Sequence, residues 1–275
     1  MNDLVEVTIE AGVADVRLNR PDKYNALSPD MFDAIVAAGE RLGREAGVRA
    51  VVLSGNGRGF CAGLDFSSFQ GMADRGGAEA ATGAAATGAL ARDSERPENR
   101  AQRPAYVWKR LPVPVICALH GVAYGGGLQV ALGADIRLAA PDARLSVMEI
   151  KWGLVPDMSL TQTLRDLVRL DVAKELTFTG RVLGAEEAQR LGLVTRVVED
   201  PLAAALDMAR QIAGKSPDAI RFGKKLLEES WHADPATGLG LEASLQASLI
   251  GSPNQLEAVK ANFEDRAPRF ADPAA

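Results

Sequence analysis

The chain has 275 residues, of which 47% are hydrophobic and 24% charged, with a formal net charge of −5. Those proportions belong to a folded globular chain, long for one ordinary domain and short for two. The acidic balance excludes a surface given over to nucleic acid, which needs clustered Lys and Arg to displace counterions. The two cysteines lie in unlike settings, Cys61 in a glycine-rich loop and Cys117 in the apolar run Pro114–Leu119. With only His120 and His232 beside them, neither a disulfide framework nor a zinc cluster is expected, and no metal is assigned. The N-terminus MNDLVEVTIE lacks a basic stretch followed by an apolar one, and no apolar run approaches the roughly 20 residues that span a bilayer. A cytoplasmic protein without a membrane partner is the expectation.

In chain order, Leu4–Glu10 and Val13–Asn19 alternate apolar and polar residues around Ala11-Gly12, the pattern of a β-hairpin. Ser28 followed by Pro29, with Met31, Phe32, Ile35, Val36 and Leu42 at helical spacing, predicts a capped amphipathic helix. Val48–Ser54 reads as a buried strand. The stretch Gly71–Gln102 is rich in Ala and Gly and then in charge, with few bulky apolar side chains to anchor it. It is expected to be either a mobile flap or marginal helix over the site, or a dispensable insertion. Tyr106–Leu111 predicts a helix, Val115–Leu119 a strand, Gly126–Leu132 a helix, and Asp135–Ala139 and Arg144–Met148 two further strands. Leu160–Leu170, Val172–Phe178 and Ala185–Leu191 read as helices, Val194–Val198 as the last strand, and Pro201 to Phe263 as helical throughout. The result is an α/β core over residues 1–200 and a helical region over 201–275, without an internal repeat.

Two glycine-rich loops each follow a predicted buried strand: Gly55-Asn-Gly-Arg-Gly-Phe-Cys-Ala-Gly-Leu-Asp65 and His120-Gly-Val-Ala-Tyr-Gly-Gly-Gly-Leu128. Glycine lets backbone approach a ligand closely, and a pair of N–H groups on one carbonyl oxygen would make an oxyanion hole. The phosphate-loop pattern is absent because no Lys-Ser or Lys-Thr follows the glycines, and the second loop lacks the dinucleotide spacing, which disfavours a nicotinamide dehydrogenase. Taken singly, each loop is as consistent with a tight turn as with a site. Glu149 lies between Met148 and Ile150, where a carboxylate points either into a cavity or to solvent. Asp157 is either a helix-start residue or a second site carboxylate.

These segments, in this order, resemble the enoyl-CoA hydratase/isomerase (crotonase) family. The resemblance runs through Asn19-Arg-Pro-Asp-Lys-Tyr-Asn-Ala-Leu27, Phe60–Asp65, Pro112–Ile116, Gly121–Gly127, Ala134–Ile136, Glu149–Pro156, Phe178–Arg181, Ala185–Ala188 and Gly192–Val194. It implies a spiral core of β-β-α turns, C-terminal helices that build a homotrimer or a hexamer of two trimers, and an acyl-CoA substrate. No metal or redox cofactor is implied, coenzyme A being part of the substrate. By motif position the oxyanion donors would be the N–H groups of Leu64 and Gly126. Ala62, Leu64 and Asp65 would line the adenine and pantetheine, Lys23 would lie near the phosphates, and Arg266, placed in the last helix, would reach a neighbouring subunit's phosphate. Typical hydratases of the family carry a second glutamate where this chain has Gln129. Glu149 alone suits a double-bond isomerase, with Asp157 as a second acid/base, as in the family's dienoyl-CoA isomerases, which carry Asp at the Gln129 position. The alternatives are a weak hydratase in which Gln129 holds the water, and a non-catalytic acyl-CoA-binding member.

Overall fold

The computed structural model describes residues 4–65, 90–91 and 96–273. Strands β1 (Val5–Glu10) and β2 (Val13–Leu18) form the expected antiparallel hairpin. Ala11 and Gly12 both take positive φ, 47° and 82°, the two-residue turn whose twist matches that of the strands. Helix α1 (Pro29–Arg44) is capped by Ser28, whose Oγ accepts from the Met31 amide, and it buries Met31, Ile35 and Leu42. Strand β3 (Ala50–Gly55) follows, then α2 (Arg103–Lys109) and β4 (Val115–Leu119).

The next three turns feed two sheets alternately. Strand β5 (Val122–Tyr124) precedes α3 (Gly126–Leu132), then come β6 (Ile136–Ala139) and β7 (Arg144–Ser146). A 3-10 turn (Glu149–Trp152), α4 (Leu160–Thr163) and α5 (Leu170–Thr179) lead to β8 (Leu183–Gly184), α6 (Ala185–Leu191) and β9 (Arg196–Val197). The larger sheet runs β1-β2-β3-β4-β6-β9, parallel from β2 onward, and the smaller runs β5-β7-β8. Each turn thus places one strand in each sheet and a helix beside them, which is the spiral of β-β-α turns expected above.

Both faces of the larger sheet are covered, as a parallel sheet requires. On one face Val16, Val51, Leu53, Cys117 and Leu119 pack with Met31, Ile35 and Trp108. On the other, Ala50, Val52, Ile116, Ala118 and Leu138 meet Ala205, Ala209 and Ala213 of α7 (Pro201–Ala213). Helices α8 (Pro217–Ser230), α9 (Pro235–Leu249) and α10 (Pro253–Phe263) complete the chain.

Several expectations need correction. Leu160–Leu170 is not one helix: α4 ends at Thr163 and tight turns carry the chain to Leu170. The apolar spacing is still met, because Leu160, Leu164 and Val168 are buried from those turns. The segment Val122–Tyr124, read as part of a glycine turn, is a strand. The expectation for 71–102 falls largely on residues 66–89 and 92–95, which lie outside the described residues. Its charged end is anchored, however, by Arg96 to Glu40 (2.5 Å), Arg100 to Asp33 (2.7 Å) and Glu98 to Arg110 (2.7 Å). No described helix is long and apolar enough to cross a membrane.

Helix α8 is fastened to the sheet by a charge pair. Lys224 Nζ donates to Asp135 Oδ2 (2.8 Å) and to the Val113 carbonyl (3.1 Å), and the same Asp135 oxygen accepts from the Val115 amide (2.7 Å). Burial raises the pKa of Asp135 and Lys224 opposes the rise. Removing one partner of such a pair strands the other charge. Lys224→Met is therefore expected to cost about 3 kcal/mol of stability in urea denaturation at pH 7. A loss within experimental error would show that water already satisfies Asp135.

Candidate functional site

The site grows from the backbone of two loops held in contact. The amide of Phe60 donates to His120 O (3.0 Å), that of Cys61 to Val122 O (2.9 Å), and that of Tyr124 back to Cys61 O (3.0 Å). At Gly63 (φ +90°) a Cβ would lie 2.6 Å from Tyr124 O and 3.6 Å from Gly126 N. Only a residue without a side chain lets the chains run this close.

A second set of bonds holds the first loop from below. Asn25, fully buried and at φ +54°, accepts from the Arg20 amide (2.7 Å) through Oδ1. Its Nδ2 donates to the carbonyls of Asn56 (2.9 Å), Gly59 (3.1 Å) and Phe60 (3.0 Å). Next to it, the Ala62 amide donates to Tyr24 O, the Leu27 amide to Gly63 O (2.8 Å) and the Asp65 amide to Leu27 O (3.1 Å). In a planar trans peptide the carbonyl and the following N–H point in opposite directions. Because Gly63 O faces Leu27, the Leu64 N–H faces away from it. By the same reasoning Gly125 O, which accepts from the Gln129 amide (3.1 Å), turns the Gly126 N–H out of α3. The structure therefore brings the Leu64 and Gly126 peptides into one place.

Glu149 lies beside them. Its side chain is buried, and a Cβ on Gly125 would sit 3.3 Å from its Oε1. Gly125 has φ 51° and ψ −124°, backbone that glycine alone adopts readily. Gln129 Nε2 donates to Glu149 Oε1 (2.6 Å), and Gln129 Oε1 accepts from the Met158 amide (2.8 Å). Each end of the carboxamide is held by a protein group, which fixes which end is which. Glu149 Oε2 is buried without a hydrogen-bond partner among the described residues. Burial raises the Glu149 pKa, nearby backbone amides and Gln129 lower it, and the charge of Asp157 raises it further. Asp157 is exposed at the surface of the chain, yet enough protein surrounds its carboxylate that desolvation raises its pKa too.

The remaining expected residues divide. Lys23 and Ala62 are exposed and close in space, since Ala62 bonds to Tyr24, over whose ring the Arg58 guanidinium lies at 4.6 Å. Asp65 is buried and ion-paired with Arg20, which also donates to Ala26 O. Arg266 is not in the last helix, which ends at Phe263. Its guanidinium binds Glu257 (2.6 Å) and Glu264 (2.7 Å) in its own C-terminal stretch. Cys61 and Cys117 are free and buried, and burial pushes the Cys61 thiol up to about 12. A cavity of about 600 Å³ lies elsewhere, under α8 between Leu132, Arg137 and Trp231. Sequence reasoning missed Asn25 and Met158 as parts of this framework. Asn is the non-glycine residue that best tolerates positive φ, which was the available signal for Asn25; Met158 contributes a backbone amide, for which there was none.

The raised pKa of Glu149 has a consequence for stability. The folded chain holds that proton more tightly than the unfolded one, so ionising Glu149 costs stability as pH rises from about 4.5 through the folded value. Glu149→Gln is thus expected to raise the thermal midpoint at pH 8, by an increment that shrinks as pH falls toward 4.5. An increment independent of pH, or a loss, would contradict the assignment.

The model of the enoyl-CoA hydratase/isomerase family matches residues 8–273. The chain is 33% identical over 266 residues to enoyl-CoA hydratase domain-containing protein 2, mitochondrial, of Mus musculus, covering 94% of this chain and 84% of that one. It is 35% identical over 258 residues to the mitochondrial Delta(3,5)-Delta(2,4)-dienoyl-CoA isomerase of Homo sapiens, covering 92% and 77%. Among solved structures, the enoyl-CoA hydratase of Bacillus anthracis superposes with a TM-score of 0.83 at 31% identity, covering 97% of this chain and 98% of that one. With the ordered motifs, the two-sheet spiral and these matches in agreement, the chain belongs to the enoyl-CoA hydratase/isomerase (crotonase) family.

Proposed function

We propose that this protein is an acyl-CoA double-bond isomerase. The thioester oxygen sits between the N–H groups of Leu64 and Gly126, which stabilise the negative charge that develops when a proton leaves the neighbouring carbon. Glu149 takes that proton through Oε2 and returns it to another carbon of the conjugated system, so the double bond moves and no atom is gained or lost. A raised pKa suits this exchange, because a carboxyl nearer neutrality both accepts and releases protons readily. Asp157 is the second acid/base, and Lys23 with Arg58 faces the phosphates. Coenzyme A enters as part of the substrate, and no metal or redox cofactor is assigned.

The observation that carries this choice is the Gln129 carboxamide. Hydration needs one group to activate water and another to protonate carbon. Here the second glutamate position holds an amide whose nitrogen serves Glu149 and whose oxygen serves Met158, so of those two positions only Glu149 carries a carboxylate, which suits moving a proton within the substrate. The relatives do not choose between the reactions, since their names include both hydratases and isomerases. The assembly we attach to this reading is a trimer or a hexamer of two trimers. Leu239, Leu256 and Phe263 on the C-terminal helices and Ile250 between two of them, apolar and exposed in the single chain, support it; sedimentation velocity tests it.

Two variants test the chemistry. Glu149→Gln should lower isomerisation of an enoyl-CoA by roughly 100- to 10,000-fold, the range for loss of a positioned acid/base. Gln129→Glu should add or raise hydration of a short trans-2-enoyl-CoA, followed as loss of conjugated thioester absorbance. The gain is limited because the new carboxylate faces Glu149 at hydrogen-bond distance and the pair shares a proton. Efficient hydration by the wild type, unchanged in Gln129→Glu, would overturn the isomerase reading.

A further inference from the structure

We infer that Asn25 is a positioning residue for the oxyanion donor: its buried carboxamide sets the direction of the Leu64 N–H without touching substrate. The inference rests on the proposed acyl-CoA reading and goes beyond it, because Asn25 has no place in the proton chemistry.

Tyr24 and Asn25 both take positive φ, 48° and 54°, directly after the 3-10 turn Pro21–Lys23. Two consecutive left-handed residues that are not glycine carry a backbone cost. That cost persists only where the surroundings fix it. The left-handed turn drives the Asn25 side chain into the interior, where it is fully buried. There, Nδ2 lies within 3.1 Å of three carbonyl oxygens, those of Asn56, Gly59 and Phe60. The main-chain oxygen of the same residue faces Cys61 Sγ at 3.1 Å. One residue thus holds the turn 56–61 from inside.

The direction follows from what comes next in each chain. Past Asn25 lies Leu27, which clamps Gly63 and Asp65; past Phe60 lies Leu64 itself. Fixing Asn25 to residues 56–60 sets the register in which Leu27 meets Gly63. That register decides that the Gly63 carbonyl, and not the Leu64 N–H, faces Leu27. A register slip of one residue reverses the alternation of peptide groups along an extended segment. The result would be a Leu64 N–H turned toward Leu27 and away from Gly126. Arg20 with Asp65, and the Cys61 thiol on the Asn25 carbonyl, also join the two segments; Asn25 does so through a fully buried carboxamide that reaches three carbonyls of the 56–60 turn.

The test separates position from mere stability. Asn25→Gly keeps the left-handed backbone available and removes every side-chain bond; Asn25→Asp keeps volume and the acceptor for Arg20 and removes the amide donors. Trans-2-enoyl-CoA carrying a 13C-labelled thioester carbonyl is bound to the wild type and to each variant. Its carbonyl stretch is read by infrared difference spectroscopy, alongside the dissociation constant by calorimetry and kcat and KM by absorbance. Wild type should lower the carbonyl frequency relative to free ligand. Both variants should lose most of that shift and about 100-fold in kcat, the scale of a misplacement near 1 Å. Their dissociation constants and KM values should stay within about threefold. A residue that served stability alone would lower the melting temperature and leave the shift and kcat of the folded protein intact; that outcome, in either folded variant, overturns the inference. Asn25→Asp, nearly isosteric, carries the test if Asn25→Gly does not fold. Absence of any shift in the wild type would instead overturn the acyl-CoA reading, and this inference with it.

Discussion

The constraint on which the rest depends is the close approach of two backbones far apart in sequence. The chain at Cys61–Gly63 runs against the chain at Val122–Gly127, exchanging amide-to-carbonyl bonds, with glycine wherever a Cβ would strike the partner's main chain. Side chains do not make this contact; their absence does. Because each loop leaves the end of an adjacent parallel strand, β3 and β4, the sheet delivers them side by side. Both predicted donor peptides then lie at the ends of elements that the core already fixes. Among the described residues these two peptides are already held by backbone bonds, which is what makes a charge-stabilising site effective.

Within that frame the acid/base chemistry is set by burial. Glu149 is buried beside the Gly125 backbone, and Gln129, the side chain that donates to it, is neutral. A second carboxylate at position 129 would compete for one proton; a carboxamide donates to the oxygen facing it and leaves the other oxygen open. The substitution of one amide for one acid therefore changes the number of protons the site can hold without changing its shape. Asp157, exposed at the surface of the chain, remains a separate group that raises the pKa of Glu149 through its charge.

Much of this was legible in the sequence where local chemistry dictates local structure. Helix α1 was read from its Ser28 cap and Pro29; α7, α8, α9 and α10 open with the same Ser or Asp cap and Pro, but the stretch from Pro201 was read only as helical throughout. The hairpin at Ala11-Gly12 and the buried strands β3 and β4 were equally plain. What escaped reading depends on contacts between distant segments. Strand β5 has three residues, too few for a period to show, and exists because β7 lies beside it. The turns after α4 bury the same leucines that a helix would have buried. The charged end of 71–102 looked unanchored because its partners Glu40, Asp33 and Arg110 lie on other elements. The loops that carry the site were found from their glycines and from family resemblance, whereas Asn25 sat within a quoted motif with its role invisible until φ and burial were known.

The same dependence on distant partners explains how the helical C-terminal region bears on a site it does not line. Lys224 on α8 reaches Asp135 and the Val113 carbonyl, and Asp135 in turn accepts from the Val115 amide at the start of β4. Strand β4 leads directly into the loop His120–Gly127. The part-buried pair therefore pins the beginning of the strand that leads into the loop carrying Gly125 and Gly126, while α7 packs alanines across its middle. Small side chains at Ala205, Ala209 and Ala213 let that helix lie close to the sheet, and a close helix leaves β4 little room to shift along its length. Stability contributed by the helices is thus expressed at the site as restraint on one strand, and through that strand on the direction of one N–H group.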